Sequence, residues 1–213
     1  MLINTLSDIR SVLPVGAGND FLRLRPHLQN AENGFIIPVL GNNLYQGLDS
    51  FYENPPEGEL TAVQQSMKTL LSKVQYSLVH LGFFLGFDFL NVSVSDMGFS
   101  RMETDRVKSL FKYQEDNLKE YFRMTGFNGL DDILVFLEEN IAHFPEFKAS
   151  PNWTVLRQSF IPTARIFNEI CFIASSRLTF LRLRPHMALV ENSRILPLLG
   201  PEIFSFIREE MAK

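Results

Sequence analysis

Matched charged residues and histidines are where this chain could do chemistry. His27 and Glu32 recur as His186 and Glu191, and Arg23 and Arg25 recur as Arg182 and Arg184, each 159 positions further on. The planar guanidinium fork suits phosphate or a partner's carboxylates, so Arg23, Arg25, Arg182 and Arg184 are the candidate interaction residues. The competing reading pairs them internally with Glu32, Glu191 or nearby acids. Two His and two Glu could also form a metal cluster across a pseudo-dyad. Neither H-x-x-x-H nor C-x-x-C spacing occurs, so the matched histidines read as structural and no metal site is assigned.

Other chemistry finds less support. Val15-Gly16-Ala17-Gly18 lacks the preceding strand and the following Lys-Ser/Thr of a phosphate loop, and no G-x-S-x-G occurs. Asp131-Asp132 and Glu138-Glu139 are adjacent acids, which diverge on a helix. The single cysteine, Cys171, sits in the apolar run IFNEICFIA and reads as a buried small hydrophobe. No catalytic residue and no cofactor are assigned, and the expectation is a protein that is not an enzyme.

The matched residues belong to a longer echo. Residues 21–41 (FLRLRPHLQNAENGFIIPVLG) and 180–200 (FLRLRPHMALVENSRILPLLG) align without a gap, with 13 identities in 21 positions. Phe21, Leu24, Leu28, Ala31 and Phe35 form a helical stripe, with Asp20 and Thr179 as competent caps. Pro26 could instead mark the helix start, and Pro38 predicts its end near Ile37. Gly41 and Gly200-Pro201 then open a second short helix. The prediction is a duplicated helix–corner–helix unit, over residues 20–48 and 179–207.

Elsewhere the chain reads as helical. Helices are predicted over 5–13, from Thr61 (capped with Gln64) past residue 81, from Thr104 to Thr125-Gly126, over 130–144 and over 163–174. Gly82 and Gly86 predict close helix packing. Val92 and Val94 alternate with Ser93 and Ser95, so residues 91–101 predict a small β-hairpin or short paired strands. Asn54-Pro55-Pro56-Glu57-Gly58 is a loop, and residues 150–153 read as an extended link. The expected fold is mainly α, a helical bundle forming a single domain over 1–213.

Composition narrows the partners. A net charge of −4 over 213 residues lacks the basic excess of a nucleic-acid binder, so no direct sequence-specific nucleic-acid contact is expected. The most apolar stretch, residues 78–90, is interrupted by His80 and Asp88 and is shorter than the roughly 20 residues a membrane span needs. No membrane role is expected. Twenty phenylalanines point to a well-filled core or to adhesive interfaces.

The order of segments AENGFIIPVLGNNLYQGL, NVSVSDMGF and ILVFLEENIAHFPEFKAS, followed by the second IFNEI…ILPLLG copy, resembles a family of uncharacterised proteins from Bacteroidetes genomes and prophages. That family is similar to phage head–tail connector, or head-completion, proteins. The resemblance rests on Ile37-Pro38-Val39-Leu40-Gly41 with Leu44-Tyr45, and on Phe136-Leu137-Glu138-Glu139-Asn140 leading to Phe144-Pro145. It implies a structural adaptor of the virion that self-associates as a homo-oligomer and docks to a portal or tail protein, in the bacterial cytoplasm or the virion. The alternative expectation is a small-molecule or anion-binding module with a pocket between the two repeats.

Overall fold

Helices form where the chain supplies caps and apolar stripes, and they gather into two compact units, Met1–Ile133 and Leu134–Lys213. The computed structural model describes residues 1–14, 21–90, 92–95, 98–101, 110–153, 159–174 and 176–211. Asp20, the Val15-Gly16-Ala17-Gly18 run and the helix start predicted at Thr104 lie outside these residues.

In the first unit, α1 (Leu6–Arg10) begins at a capping box in which Thr5 and Asp8 exchange side-chain and backbone hydrogen bonds. Helix α2 (Phe21–Ala31) passes through Pro26 rather than starting there. It runs into a π-turn, Glu32–Ile36, and then into α3 (Ile37–Leu40). The helical path therefore continues beyond Ile37, where Pro38 predicted a stop. A proline ring crowds the carbonyl four residues back, and the wider π-turn, with Ile37 N–H bonded to the Glu32 carbonyl, relieves that crowding.

The path turns at Gly41, whose φ of 80° and ψ of 153° are open essentially to glycine alone. Gly41 N–H closes α3 on Ile37 O at 2.8 Å, and its carbonyl accepts from Tyr45 N–H at 3.0 Å to begin α4 (Asn42–Glu53). Helix α5 (Ala62–Leu90) starts at reciprocal hydrogen bonds between Thr61 and Gln64. Strands β1 (Val92–Ser95) and β2 (Gly98–Arg101) pair antiparallel, Val92 opposite Arg101 and Ser95 opposite Gly98.

Thr125-Gly126 was expected to close one helix before another began at Leu130. Instead α6 (Lys112–Glu139) is continuous, its residues to Ile133 in the first unit and the rest in the second. The glycines are there for proximity. A Cβ on Gly126 would lie 2.7 Å from Leu81 Cγ, and one on Gly129 would lie 2.9 Å from Ser77 Cβ. Ser77 Oγ also donates to the Gly126 carbonyl at 2.8 Å. Gly82 and Gly86 admit α2 to α5 in the same way, against Leu28 and His27. Leu28, Leu44, Leu70, Leu78 and Leu81 are fully or almost fully buried around these crossings.

In the second unit, a 3₁₀ turn (Ile141–His143) leads to α7 (Pro145–Lys148), and residues 151–153 are helical rather than extended. Helix α8 (Ala164–Ile170), capped by Thr163, ends earlier than predicted. Cys171 leaves it with extended backbone and is exposed, not buried, because no further turn of helix carries it back to the core. Helix α9 (Arg177–Val190), a π-turn (Glu191–Ile195), α10 (Leu196–Leu199) and α11 (Pro201–Met211) complete the chain. Phe180 and Ala164 form the centre of this core, with Phe167 against Phe180.

Candidate functional site

The order helix with internal proline, π-turn, four-residue helix, glycine, helix occurs in both units at an offset of 159. Gly200 has φ 78° and ψ 159°, nearly the values of Gly41, and bonds Leu196 O at 2.9 Å as Gly41 bonds Ile37 O. Each π-turn opens with a glutamate that is 4% exposed, Glu32 and Glu191. A carboxylate buried to that degree needs several donors.

Glu32 accepts the Leu2 backbone N–H at 2.8 Å, and the Tyr45 hydroxyl also hydrogen-bonds it. Burial, then the neighbouring Glu32 and Asp49, push the Tyr45 phenol well above its ordinary value. Glu191 accepts Ser159 Oγ–H at 2.6 Å and the Phe160 backbone N–H at 3.1 Å through Oε1, and pairs with Arg208 Nη2 at 3.0 Å through Oε2. Phe204 stands where Tyr45 stands in the first unit and has no hydroxyl. Arg208, over the Phe204 ring at 4.7 Å, supplies the missing donor and a charge.

The echo extends further upstream than the sequence alignment found. Leu2-Ile3 and the helix cap Thr5 correspond to Phe160-Ile161 and the cap Thr163, at an offset of 158. The shared Ile-x-Thr spacing was the available signal. It was hidden by a one-residue change in the connection to the following helix.

The four candidate arginines are placed unequally. Arg23 and Arg25 are exposed on α2, with Arg23 Nη2 donating to the Val92 carbonyl at 3.1 Å. Arg182 is exposed on α9, while Arg184 is buried. Burial lowers the Arg184 guanidinium's affinity for its proton, Glu191 opposes that, and Arg208 adds to it. The Glu191 carboxylate is thus part of the electrostatic environment of Arg184.

Identical heptapeptides present different faces. Helix α2 buries Leu24, Leu28 and Ala31, whereas α9 buries Phe180 and Arg184. The buried stripe is displaced by one residue, about 100° around the helix. The histidines follow suit: His27 stacks on Phe89 at 5.7 Å, while His186 is exposed at the rim of a cavity.

That cavity, of about 310 Å³, lies within the second unit. Phe160, Phe167, Leu183, Met187 and Val190 make its apolar wall, with Glu191 and His186 at its polar edge. A carboxylate already held by Ser159, Phe160 and Arg208 does not attract an anion, so the chemistry of this wall suits an apolar partner. Among the described residues, no group of three or more His, Cys, Asp or Glu side chains is arranged to hold a metal ion. Nor is any described helix long and apolar enough to cross a membrane.

No curated protein and no solved structure matches the chain. A family model described as a family of unknown function, DUF6712, matches residues 36–155, from the last residue of the first π-turn to just before the Phe160–Ile161 segment. That span is more than half of the 213 residues. The chain belongs to this family of unknown function, DUF6712.

Proposed function

We propose that the chain is a non-enzymatic structural adaptor that self-associates and docks to a portal or tail protein of a phage or prophage, in the bacterial cytoplasm or the virion. The observation that carries this reading is the apolar surface of the second unit. Ile170 is 77% exposed, Phe172 84% and Leu198 85%. Burying one such side chain is worth roughly 1.5–3 kcal/mol, so an interface that covers several gains substantially. The buried polar groups support the reading too. Glu32, Glu191, Ser77 and Ser159 hold backbone and neighbouring side chains together, which is architectural work. The portal or tail protein as partner rests on the resemblance of the packing motifs. In this reading residues 20–48 and 179–207 are a duplicated unit, and β1 with β2 is a small hairpin available to a neighbouring subunit.

Native mass measured over a range of concentrations, with and without portal and tail proteins, tests the reading. The adaptor predicts concentration-dependent assembly or a defined complex. A monomer indifferent to every such protein contradicts it.

A further inference from the structure

The second unit leaves open a face that the first unit closes. Phe160 and Phe167 in the cavity wall correspond to Leu2 and Ile9, while Leu183, Met187 and Ile195 correspond to Leu24, Leu28 and Ile36. All five first-unit residues are at most 4% exposed. The sharpest contrast is at the end of the stripe, where Ala31 is 0% exposed and its counterpart Val190 is 53% exposed.

What closes the face in the first unit is α5. Gln75 Nε2 donates to the Leu2 carbonyl at 2.8 Å. Gly82 meets Leu28, and a Cβ there would lie 2.6 Å from Leu28 Cδ2. Gly86 meets the His27 ring, 2.7 Å from such a Cβ. Positions 75, 82 and 86 fall on one side of a helix, so a single helical face reads Leu2, Leu28 and His27 together. Their counterparts Phe160, Met187 and His186 line the cavity.

We propose that this cavity is the seat of an α-helix from another protein, a helix with an apolar face, two small residues four positions apart, and a side-chain amide seven positions before the first of them. A helix fits better than a small molecule because the open face runs along α9 to Val190, and its counterpart is covered along its length by one rod. A different protein fits better than a second copy because the small-residue pairs of α5 and α6 are already in contact, Gly82 and Gly86 with α2, Gly126 and Gly129 with α5. The partner helix is recognised by close approach, so small residues at the crossing are required of it. The inference rests on the adaptor reading, to which it adds the docking surface and the chemistry of the partner.

The test uses a labelled peptide of residues 71–90 of this chain as the stand-in helix, titrated into the full-length protein. Saturable binding is expected, weakened at least tenfold by Gly82→Leu with Gly86→Leu in the peptide. Val190→Glu in the protein should weaken it similarly while leaving the circular dichroism spectrum and Tm unchanged, because Val190 is already half exposed. Absence of binding, or binding indifferent to both changes, overturns the proposal. Wild-type dimers that Val190→Glu dissolves would seat a second copy there and also overturn it. An apolar dye that fills the cavity and is not displaced by the peptide would do the same. Peptide binding by a protein that ignores portal and tail proteins supports this surface and removes the adaptor; assembly without peptide binding removes this surface alone.

Discussion

Glu32 and Glu191 stand 159 positions apart and perform one task. Each opens a π-turn, each is 4% exposed, and each accepts a backbone N–H from an upstream segment, Leu2 at 2.8 Å and Phe160 at 3.1 Å. The carboxylate ties an upstream non-helical segment to a helical rod that the π-turn has already widened. The two units differ in the remaining donors, Tyr45 in one and Ser159 Oγ with Arg208 in the other.

That difference makes a paired prediction. Arg208→Met leaves the buried Glu191 carboxylate short of its charged donor and is expected to cost about 1–3 kcal/mol. Adding Phe204→Tyr to the same variant supplies the hydroxyl that Tyr45 gives Glu32, and should recover part of the loss. Urea denaturation of the single and double variants measures both. Equal stability of the two variants would mean that Phe204 does not stand in for Tyr45.

The corner glycines should be intolerant for backbone reasons alone. Nothing lies within 4 Å of a Cβ built on Gly200, yet its φ is 78°. Gly200→Ala is expected to cost about 1–3 kcal/mol from conformational strain. Thermal melts check this, and a neutral result would show that the corner can relax to an ordinary turn.

Glycines inside helices should divide by their surroundings. Gly126→Ala forces a Cβ against Leu81 and disturbs the Ser77 hydrogen bond, an overpacking expected to cost about 1–3 kcal/mol. Gly34→Ala meets open space and should be neutral or stabilising by about 0.4–1 kcal/mol. Reversal of that order would contradict the account of α5 and α6 packing.

Stability should fall in mild acid because of His80. Burial lowers its proton affinity below the ordinary 6.5, only partly offset by the hydrogen bond to the Tyr76 carbonyl at 2.7 Å. A base with a depressed folded value contributes stability above the unfolded value of 6.5, and that contribution is lost as pH falls towards the folded value. Denaturation between pH 7 and 5 should show a decline that His80→Asn reduces. A second loss belongs to Asp8 at lower pH. Burial raises its carboxyl, but bonds from Tyr52, Thr5 and Asn4 outweigh that and hold it below 3.8, so its contribution fades only under strong acid.

Much of this architecture was legible. The mainly helical make-up, the Thr61–Gln64 box and the close packing at Gly82 and Gly86 follow from spacing and cap chemistry. What escaped was whatever depends on a neighbour distant in sequence. Gly126 reads as a helix stop by propensity, but its lack of a side chain serves Leu81, so α6 runs on. Cys171 sits among apolar letters, but α8 ends one residue earlier and leaves it outside. Arg25 and Arg184 sit in identical heptapeptides with opposite burial, because the rotation of each helix is set by its packing and not by its own residues. No local pattern carries that information.

The most direct test compares amide hydrogen exchange at Arg25 and His27 with that at Arg184 and His186 in the full-length protein. These residues lie in the same heptapeptide and past the first turn of both α2 and α9, so a difference in protection reports structure. The closed first unit and open second unit predict slower exchange at Arg25 and His27, by at least about tenfold, with the gap narrowing when the peptide of residues 71–90 is bound. Equal protection of the two pairs, or stronger protection at Arg184 and His186, would contradict the account.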